Sequence, residues 1–257
     1  MIRTRLIPVL LLKDRGLVKT TNFKSPSYVG DPRNALKIFN EKEVDELCFL
    51  DISAGRESSR PNFELLEEIV SEGFMPIAYG GGIRSLDDIH RLFKIGIEKV
   101  VLNSIIFQTP SLIFEAAQIY GEQSIVLSFD LKHNKGWFGV NKGYSIYTNS
   151  GKKKITGDYL QIIKELVALG AGEVLVNSID KDGTREGLDI ELLDSISKIL
   201  DVPVIGCGGV GSLNHIKEAV DKTRLSAIAA GSFFVYHGKH RAVLITYPSI
   251  DSLNQIF

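Results

Sequence analysis

The most definite chemistry in this chain lies in two glycine turns with the same neighbours. In PIAYGGGIRSLDDI, residues Pro76, Gly81, Gly82, Ser85, Leu86 and Ile89 recur as Pro203, Gly208, Gly209, Ser212, Leu213 and Ile216 of PVIGCGGVGSLNHI, each 127 positions further on. The same shift carries Glu46 of DELCFLDIS onto Glu173 of AGEVLVNSI, so the register holds over two consecutive strand-like runs. Self-similarity of this kind marks an internal duplication. Each copy reads strand, glycine turn, helix. A helix that opens on Gly and Ser presents unpaired backbone N–H groups and partial positive charge to an anion. Two copies predict two anion sites facing each other, and a ligand with a phosphate at each end.

The elements that position these turns follow from patterning. Short runs rich in Val, Ile and Leu alternate with amphipathic stretches along the chain, the pattern of a parallel sheet wrapped by helices. Strands are predicted near 5–11, 46–52, 75–79, 98–103, 124–130, 173–178, 203–207 and 225–230, and helices near 32–43, 61–73, 85–96, 110–120, 156–170, 189–200 and 212–222. Residues 137–154 read as a hairpin excursion after the fifth strand, and a short last helix is expected from Pro248. Eight βα units in two related halves make an α/β fold, the (β/α)8 TIM barrel, and 257 residues suit one such domain spanning 1–257. Its site belongs at the C-terminal ends of the strands. The residues there are Leu11, Asp51, Gly80 to Gly82, Asn103, Asp130, Asn177, Ser178, Cys207 to Gly209, Gly231 and Ser232, a polar set for strand tips.

Composition narrows the function further. A net charge of −1 offers no basic face, so nucleic acid is not an expected partner. The run Lys152-Lys153-Lys154 lies in a polar Gly/Ser/Thr stretch and reads as a solvated loop. There is no apolar run of about 18 residues and no leader-like N-terminus, which predicts a cytoplasmic chain without membrane partners. Cys48 and Cys207 lack CxxC spacing, and the histidines lack ligand spacing, so neither a metal nor a cofactor is expected. Gly206, Gly208 and Gly211 spell GxGxxG, but late in the chain and without the βαβ unit and ribose-binding acid of a dinucleotide fold.

Taken together, the segments RLIPVLLLKDRGLVKTTNF, GDPRNALKIFNEKEVDELCFLDISA, YGGGIRSLDDI, KVVLNS, VLSFDLK, TGDYLQ, LGAGEVLVNSIDKDGTREGLD and PVIGCGGVGS resemble the cyclase subunit of imidazole glycerol phosphate synthase, the HisF family. The resemblance implies a lyase of histidine biosynthesis that binds a ribulosyl aminoimidazole carboxamide nucleotide with two phosphates. By position it implies one phosphate site at Gly82, Asn103 and Ser104, and another at Asp182, Gly183, Gly209, Gly231 and Ser232, with Lys19, Asp51 and Asn177 as further substrate contacts. It also implies a HisH-like glutaminase partner at the N-terminal barrel face, whose ammonia passes a gate of four charged residues, here Arg5, Glu46, Lys99 and Glu173.

One position departs from the family pattern. The family's acid–base chemistry uses two aspartates, at the tips of the first and fifth strands; the second is present as Asp130, whereas the first position holds Leu11. Pro8, Lys13, Asp14, Lys19, Asn22 and Phe23 keep their places around it. A leucine transfers no proton. The match also weakens around NFKSPSYVGDP and in SFFVYHGKHRAVLITYP, which does not resemble the usual final helix. An altered substrate face above an intact ammonia entrance resembles a divergent HisF-like branch serving acetamidino-sugar formation in bacterial lipopolysaccharide, where a separate amidotransferase uses the ammonia. A working histidine-pathway cyclase and a non-catalytic scaffold that activates its glutaminase are the alternatives.

Overall fold

The structure, a computed structural model, describes residues 4–53, 60–135, 141–238 and 240–256. Eight parallel strands form the barrel: β1 (Arg5–Lys13), β2 (Leu47–Asp51), β3 (Ile77–Gly80), β4 (Lys99–Leu102), β5 (Ile125–Lys135), β6 (Glu173–Ser178), β7 (Val204–Cys207) and β8 (Ala227–Ala230). Their order is β6-β7-β8-β1-β2-β3-β4-β5, and β5 pairs back onto β6 to close the cylinder. The predicted TIM barrel is therefore the observed fold. Between the strands run α1 (Pro32–Glu41), α2 (Phe63–Val70), α3 (Leu86–Ile95), α4 (Ser111–Tyr120), α5 (Tyr159–Val167), α6 (Ile190–Ser197) and α7 (Leu213–Lys222).

Strand periodicity sorts the side chains into two cores. Residues one apart point to opposite faces, so each strand contributes one row outward and one inward. Outward rows such as Leu6, Leu10 and Leu12 pack under the helices with Leu36, Phe39, Leu66 and Ile69. Inward rows fill the barrel with small and branched residues: Ile7, Val9, Cys48, Ala78, Val101, Val126, Leu175, Ile205 and Ala229. The same alternation puts Arg5, Glu46, Lys99 and Glu173 in the lowest inward layer. It puts Leu11, Leu50, Asn103, Asp130, Asn177 and Cys207 in the uppermost.

The sequence repeat is repeated in space. Shifting β3 and α3 by 127 positions gives the bounds of β7 and α7. Ser85 and Ser212 each cap their helix by accepting a hydrogen bond from the amide three residues on, that of Asp88 or His215. A Cβ on Gly81 would meet the Asp51 carbonyl oxygen at 2.5 Å, and one on Gly208 would meet that of Ser178, 127 positions after Asp51, at 2.8 Å. Both glycines have positive φ, 126° and 97°, so close approach and backbone conformation both demand glycine there.

Elsewhere the structure departs from the patterning in three places. The helices start where a side chain caps them rather than where the amphipathic pattern begins: Asn62 caps α2 and Asp158 caps α5, so the segments predicted from 61 and 156 start at Phe63 and Tyr159. After β1 the chain forms an antiparallel hairpin, Gly16–Thr21 against Lys24–Gly30, which the sequence did not reveal. Asp14, Asn22, Phe23 and Ser25 all have positive φ in this region, and the pattern of Lys24–Gly30 is almost wholly exposed, so no apolar alternation announces it. The expected excursion after β5 is built from β5 itself, which runs on to Lys135 and pairs with Asn141–Thr148. Trp137, which opened the predicted excursion, lies outside the described residues. At the C-terminus, β8 leads into the four-residue α8 (Ser232–Val235), a small hairpin of Tyr236–His237 and Ala242–Val243, and α9 (Ile250–Asn254), capped by Ser249.

Candidate functional site

At the N-terminal mouth, Arg5, Glu46, Lys99 and Glu173 form a closed ring. Arg5 donates to Glu46 at 2.6 Å and to Glu173 at 2.5 Å, and Lys99 donates to the same two carboxylates at 2.9 and 2.8 Å. Each cation touches both acids and each acid both cations. Glu46 and Glu173 are only 4% and 7% exposed, so removing either cation would strand a buried negative charge.

Above the ring the barrel axis is apolar and neutral. A cavity of about 10 Å³, room for one water-sized molecule, is bounded by Glu46 below and by Ile7, Val9, Cys48, Val101 and Leu175 around it. Burial pushes the Cys48 thiol upward, and the Cys207 thiol near the top up to about 12, so both stay protonated.

Among the described residues the upper layer holds one inward carboxylate. Asp130 is buried and accepts hydrogen bonds from the Asn103 amide at 3.1 Å and the Asn177 amide at 3.2 Å. Burial raises its pKa to about 7, while the two amides pull the other way. A carboxyl poised there can hold or release a proton near neutrality. Leu11, in the matching layer of β1, pairs with Leu50 and packs with it and Cys207 on the apolar interior. Asp51, one residue past the inward Leu50, accepts from the Ser53 amide and hydroxyl at 2.9 and 2.6 Å and thus caps its own turn.

The glycine turns flank this layer on opposite sides of the mouth. Gly80 pairs with Val101 and Cys207 with Ala229. Two residues beyond each pair come Gly82 with Asn103, and Gly209 with Gly231. The two candidate anion turns thus have one geometry, on β3–β4 and β7–β8, four strands apart round the barrel. On the first side, Ser104 opens a 3-10 turn and accepts from the Asn149 amide at 3.1 Å, so the turn after Asn141–Thr148 lies over it. On the second, a Cβ on Gly209 would meet the Gly187 carbonyl oxygen at 2.1 Å, and one on Gly183 the Thr20 carbonyl oxygen at 2.2 Å.

Lys19 joins this second group through the unforeseen hairpin. Its ammonium, buried, donates to the Val9 carbonyl at 2.6 Å and would lie 2.1 Å from a Cβ on Gly231. Burial lowers its pKa to about 8 against the pull of Asp182, which accepts from Thr20 Oγ1 at 2.8 Å and the Phe23 amide at 3.2 Å. Ser232 follows Gly231 at the start of α8.

Sequence reasoning missed a hub beside this layer. Asp189 caps α6 and also receives the Tyr144 hydroxyl at 2.9 Å, with His133 Nε2 at 3.1 Å, tying the β5 hairpin to the α6 start. Its one sequence signal is the helix cap. Among the described residues no group of three or more His, Cys, Asp or Glu is placed to hold a metal, and no helix is long and apolar enough to cross a membrane.

The model of the family described as "Histidine biosynthesis protein" matches residues 5–241. A Streptococcus sanguinis chain named "Imidazole glycerol phosphate synthase subunit HisF" is 38% identical over 236 residues, 92% of each chain. This chain belongs to the HisF family. Two other relatives align along nearly their whole length: a Pseudomonas aeruginosa chain named "Putative imidazole glycerol phosphate synthase subunit hisF2", 49% identical over 99% of each chain, and a Leptospira borgpetersenii chain named "Putative imidazole glycerol phosphate synthase subunit HisF", 45% identical over 100% of each.

The pKa of Asp130 gives a stability prediction for this HisF-family barrel. With its folded value near 7 and its ordinary value 3.8, the folded state holds the proton more tightly than the unfolded chain between those limits. Stability from this group is present at low pH and is lost as pH rises through that window. Asp130→Asn, which keeps shape without charge, is therefore expected to stabilise the fold at pH 8, by at most on the order of 4 kcal/mol. The gain should fade by about pH 4, and urea unfolding at the two pH values measures it.

Proposed function

We propose that this chain is the barrel subunit of a glutamine-dependent system. A HisH-like glutaminase docks at the N-terminal face, ammonia passes the Arg5–Glu46–Lys99–Glu173 ring and the neutral interior, and it emerges beside Asp130 near a ligand held by phosphates at the two glycine turns. The end use is amidation of a surface-polysaccharide sugar by a separate amidotransferase. The observation that carries this reading is an asymmetry: the ring is complete, whereas among the described inward residues at the strand tips Asp130 is the one carboxylate and β1 and β2 present Leu11 and Leu50.

Passage of ammonia needs a path without charge or bulk water, since protonation to ammonium removes the nucleophilic lone pair. The apolar interior and the protonated thiols meet that need. A second reading, a histidine-pathway cyclase working with one acid, is supported by the tuning of Asp130 to about 7. Co-expression with a HisH-like glutaminase separates the readings. Glutamine-fed transfer to a sugar acceptor, with little cyclase turnover, supports the first; rapid cyclisation supports the second; glutaminase activation without transfer leaves a scaffold.

Phosphate recognition is expected to survive whichever reaction is served, because its donors are backbone amides set by the fold. Crystals soaked in sulfate or phosphate should show anions at Gly82/Asn103/Ser104 and at Gly209/Gly231/Ser232. Empty turns at high anion concentration would tell against a doubly phosphorylated ligand.

A further inference from the structure

The outer layer of the barrel is incomplete after β8. Seven helices of eight to ten residues follow the earlier strands, but α8 has four residues and gives way to a hairpin, an irregular stretch and the five-residue α9. Beside this break lies a groove of about 360 Å³, walled by the first turn of α7, by α8 and by the tail. Ligand pockets commonly fall between about 300 and 1,000 Å³. We infer that this groove is a second ligand site, built for a nucleotide whose base lies on the rings of Phe233 and Tyr236 and whose phosphate pairs with Arg185.

Three observations select that chemistry. First, Arg185 is set in place by its backbone: its φ is 65°, in the left-handed region that a non-glycine residue seldom occupies. The turn is pressed so close to Gly211 that a Cβ there would meet the Arg185 carbonyl oxygen at 2.4 Å and the Arg185 Cβ at 2.7 Å. Second, no carboxylate answers this half-buried cation. Among the described residues none lies within ion-pair distance of it, and none lines the groove. The sequence from Lys222 to Ile250 contains no Asp or Glu at all, while the hairpin stretch carries His237, His240 and Arg241. An arginine with a free planar fork pairs with phosphate oxygens two at a time. Third, the wall is aromatic and fixed. Tyr247 stacks on Phe234 at 5.3 Å and donates its hydroxyl to the Leu6 carbonyl, and Phe233 packs edge-on against Phe234 at 5.0 Å. Flat rings held this way suit a planar base, which stacks on aromatic side chains.

The groove lies next to Ser232 but includes neither Gly209, Gly231 nor Ser232, so it is separate from the anion turn at the barrel mouth. The test is titration calorimetry on the full chain with AMP and UMP, with adenosine, ribose 5-phosphate and inorganic phosphate as partial ligands. Both nucleotides should bind, and each partial ligand should bind at least tenfold more weakly. Arg185→Gln and Tyr236→Leu should each weaken AMP at least tenfold with an unchanged melting midpoint, whereas Asn103→Ala should leave AMP affinity as it was. If Tyr236→Leu unfolds, Phe233→Leu takes its place. Absence of nucleotide binding at millimolar concentration overturns the inference. So does binding that survives Arg185→Gln, or that is lost in Gly231→Val but kept in Arg185→Gln, which would locate the nucleotide at the barrel mouth.

Discussion

Given ammonia and the doubly phosphorylated histidine-pathway nucleotide, this chain is expected to form cyclised product about 10²–10⁴-fold more slowly than a relative with aspartate at position 11, the usual loss when a positioned acid or base is removed. The structure gives the expectation its physical basis. Leu11 is not a shifted neighbour of a hidden acid: its register with Leu50 and Val18 is set by pairing on both sides of β1, and it packs on the apolar interior. Asp51, at the tip of the neighbouring strand β2, spends one carboxylate oxygen on the Ser53 amide and hydroxyl. Asp130 remains, with a pKa near 7, able to serve as acid or base but not as both ends of one proton relay. Leu11→Asp then tests the cause. If the pocket still admits the nucleotide, product formation should recover part of the deficit in kcat, because the restored interaction belongs to the transition state. The variant should also lose some stability, since a charged group would replace a partly buried leucine packed on the apolar interior with Leu50 and Cys207. Turnover of the parent chain within a few-fold of a two-aspartate relative would remove the case for sugar amidation and leave a cyclase that works with one acid.

How far the sequence disclosed this site depends on which physical signal each part carries. The barrel strands are buried on both faces, so their apolar runs stand out against amphipathic helices, and the repeat of 127 positions fixed which turns correspond. The repeat set Glu46 and Glu173 at equivalent places and the family resemblance added Arg5 and Lys99; in the barrel these lie on β1 and β4, one on each arc between the two acids. The hairpin carrying Lys19 was illegible because its second arm is exposed and its turns rely on non-glycine residues at positive φ, so neither periodicity nor composition marks it. For the same reason the position of Lys19 over Gly231 was open until the fold was known. The Asp189 hub was invisible because a helix cap and a network acceptor have the same residue type. Arg185 gave no signal either, since the absence of a counter-ion is a property of space rather than of order along the chain.

Replacing Lys99 with leucine is expected to uncouple glutamine from product. In the parent ring the two carboxylates share two cations at 2.5–2.9 Å, and both acids are buried. Losing Lys99 leaves Arg5 alone between Glu46 and Glu173, an unbalanced buried charge that costs about 3–5 kcal/mol where such pairs have been broken. The surviving acids then draw water and protons to the mouth of the channel, and ammonia that meets a proton there is trapped as ammonium. Product formed from glutamine should fall severalfold or more relative to glutamine hydrolysed, while product formed from added ammonium salt at alkaline pH should change little, because free ammonia can reach the reacting centre from the open top face. Lys99→Arg, which keeps the charge and can donate to both acids, should restore most of the coupling. A chain that only scaffolds its glutaminase predicts a different pattern, with hydrolysis altered but no dependence of transfer on this mouth. Equal losses with glutamine and with ammonium would mean that the ring serves stability alone, and the conduit would have to be given up. The ratio of the two activities is therefore the decisive quantity: a general loss of folding lowers both together, whereas only a breached path lowers one.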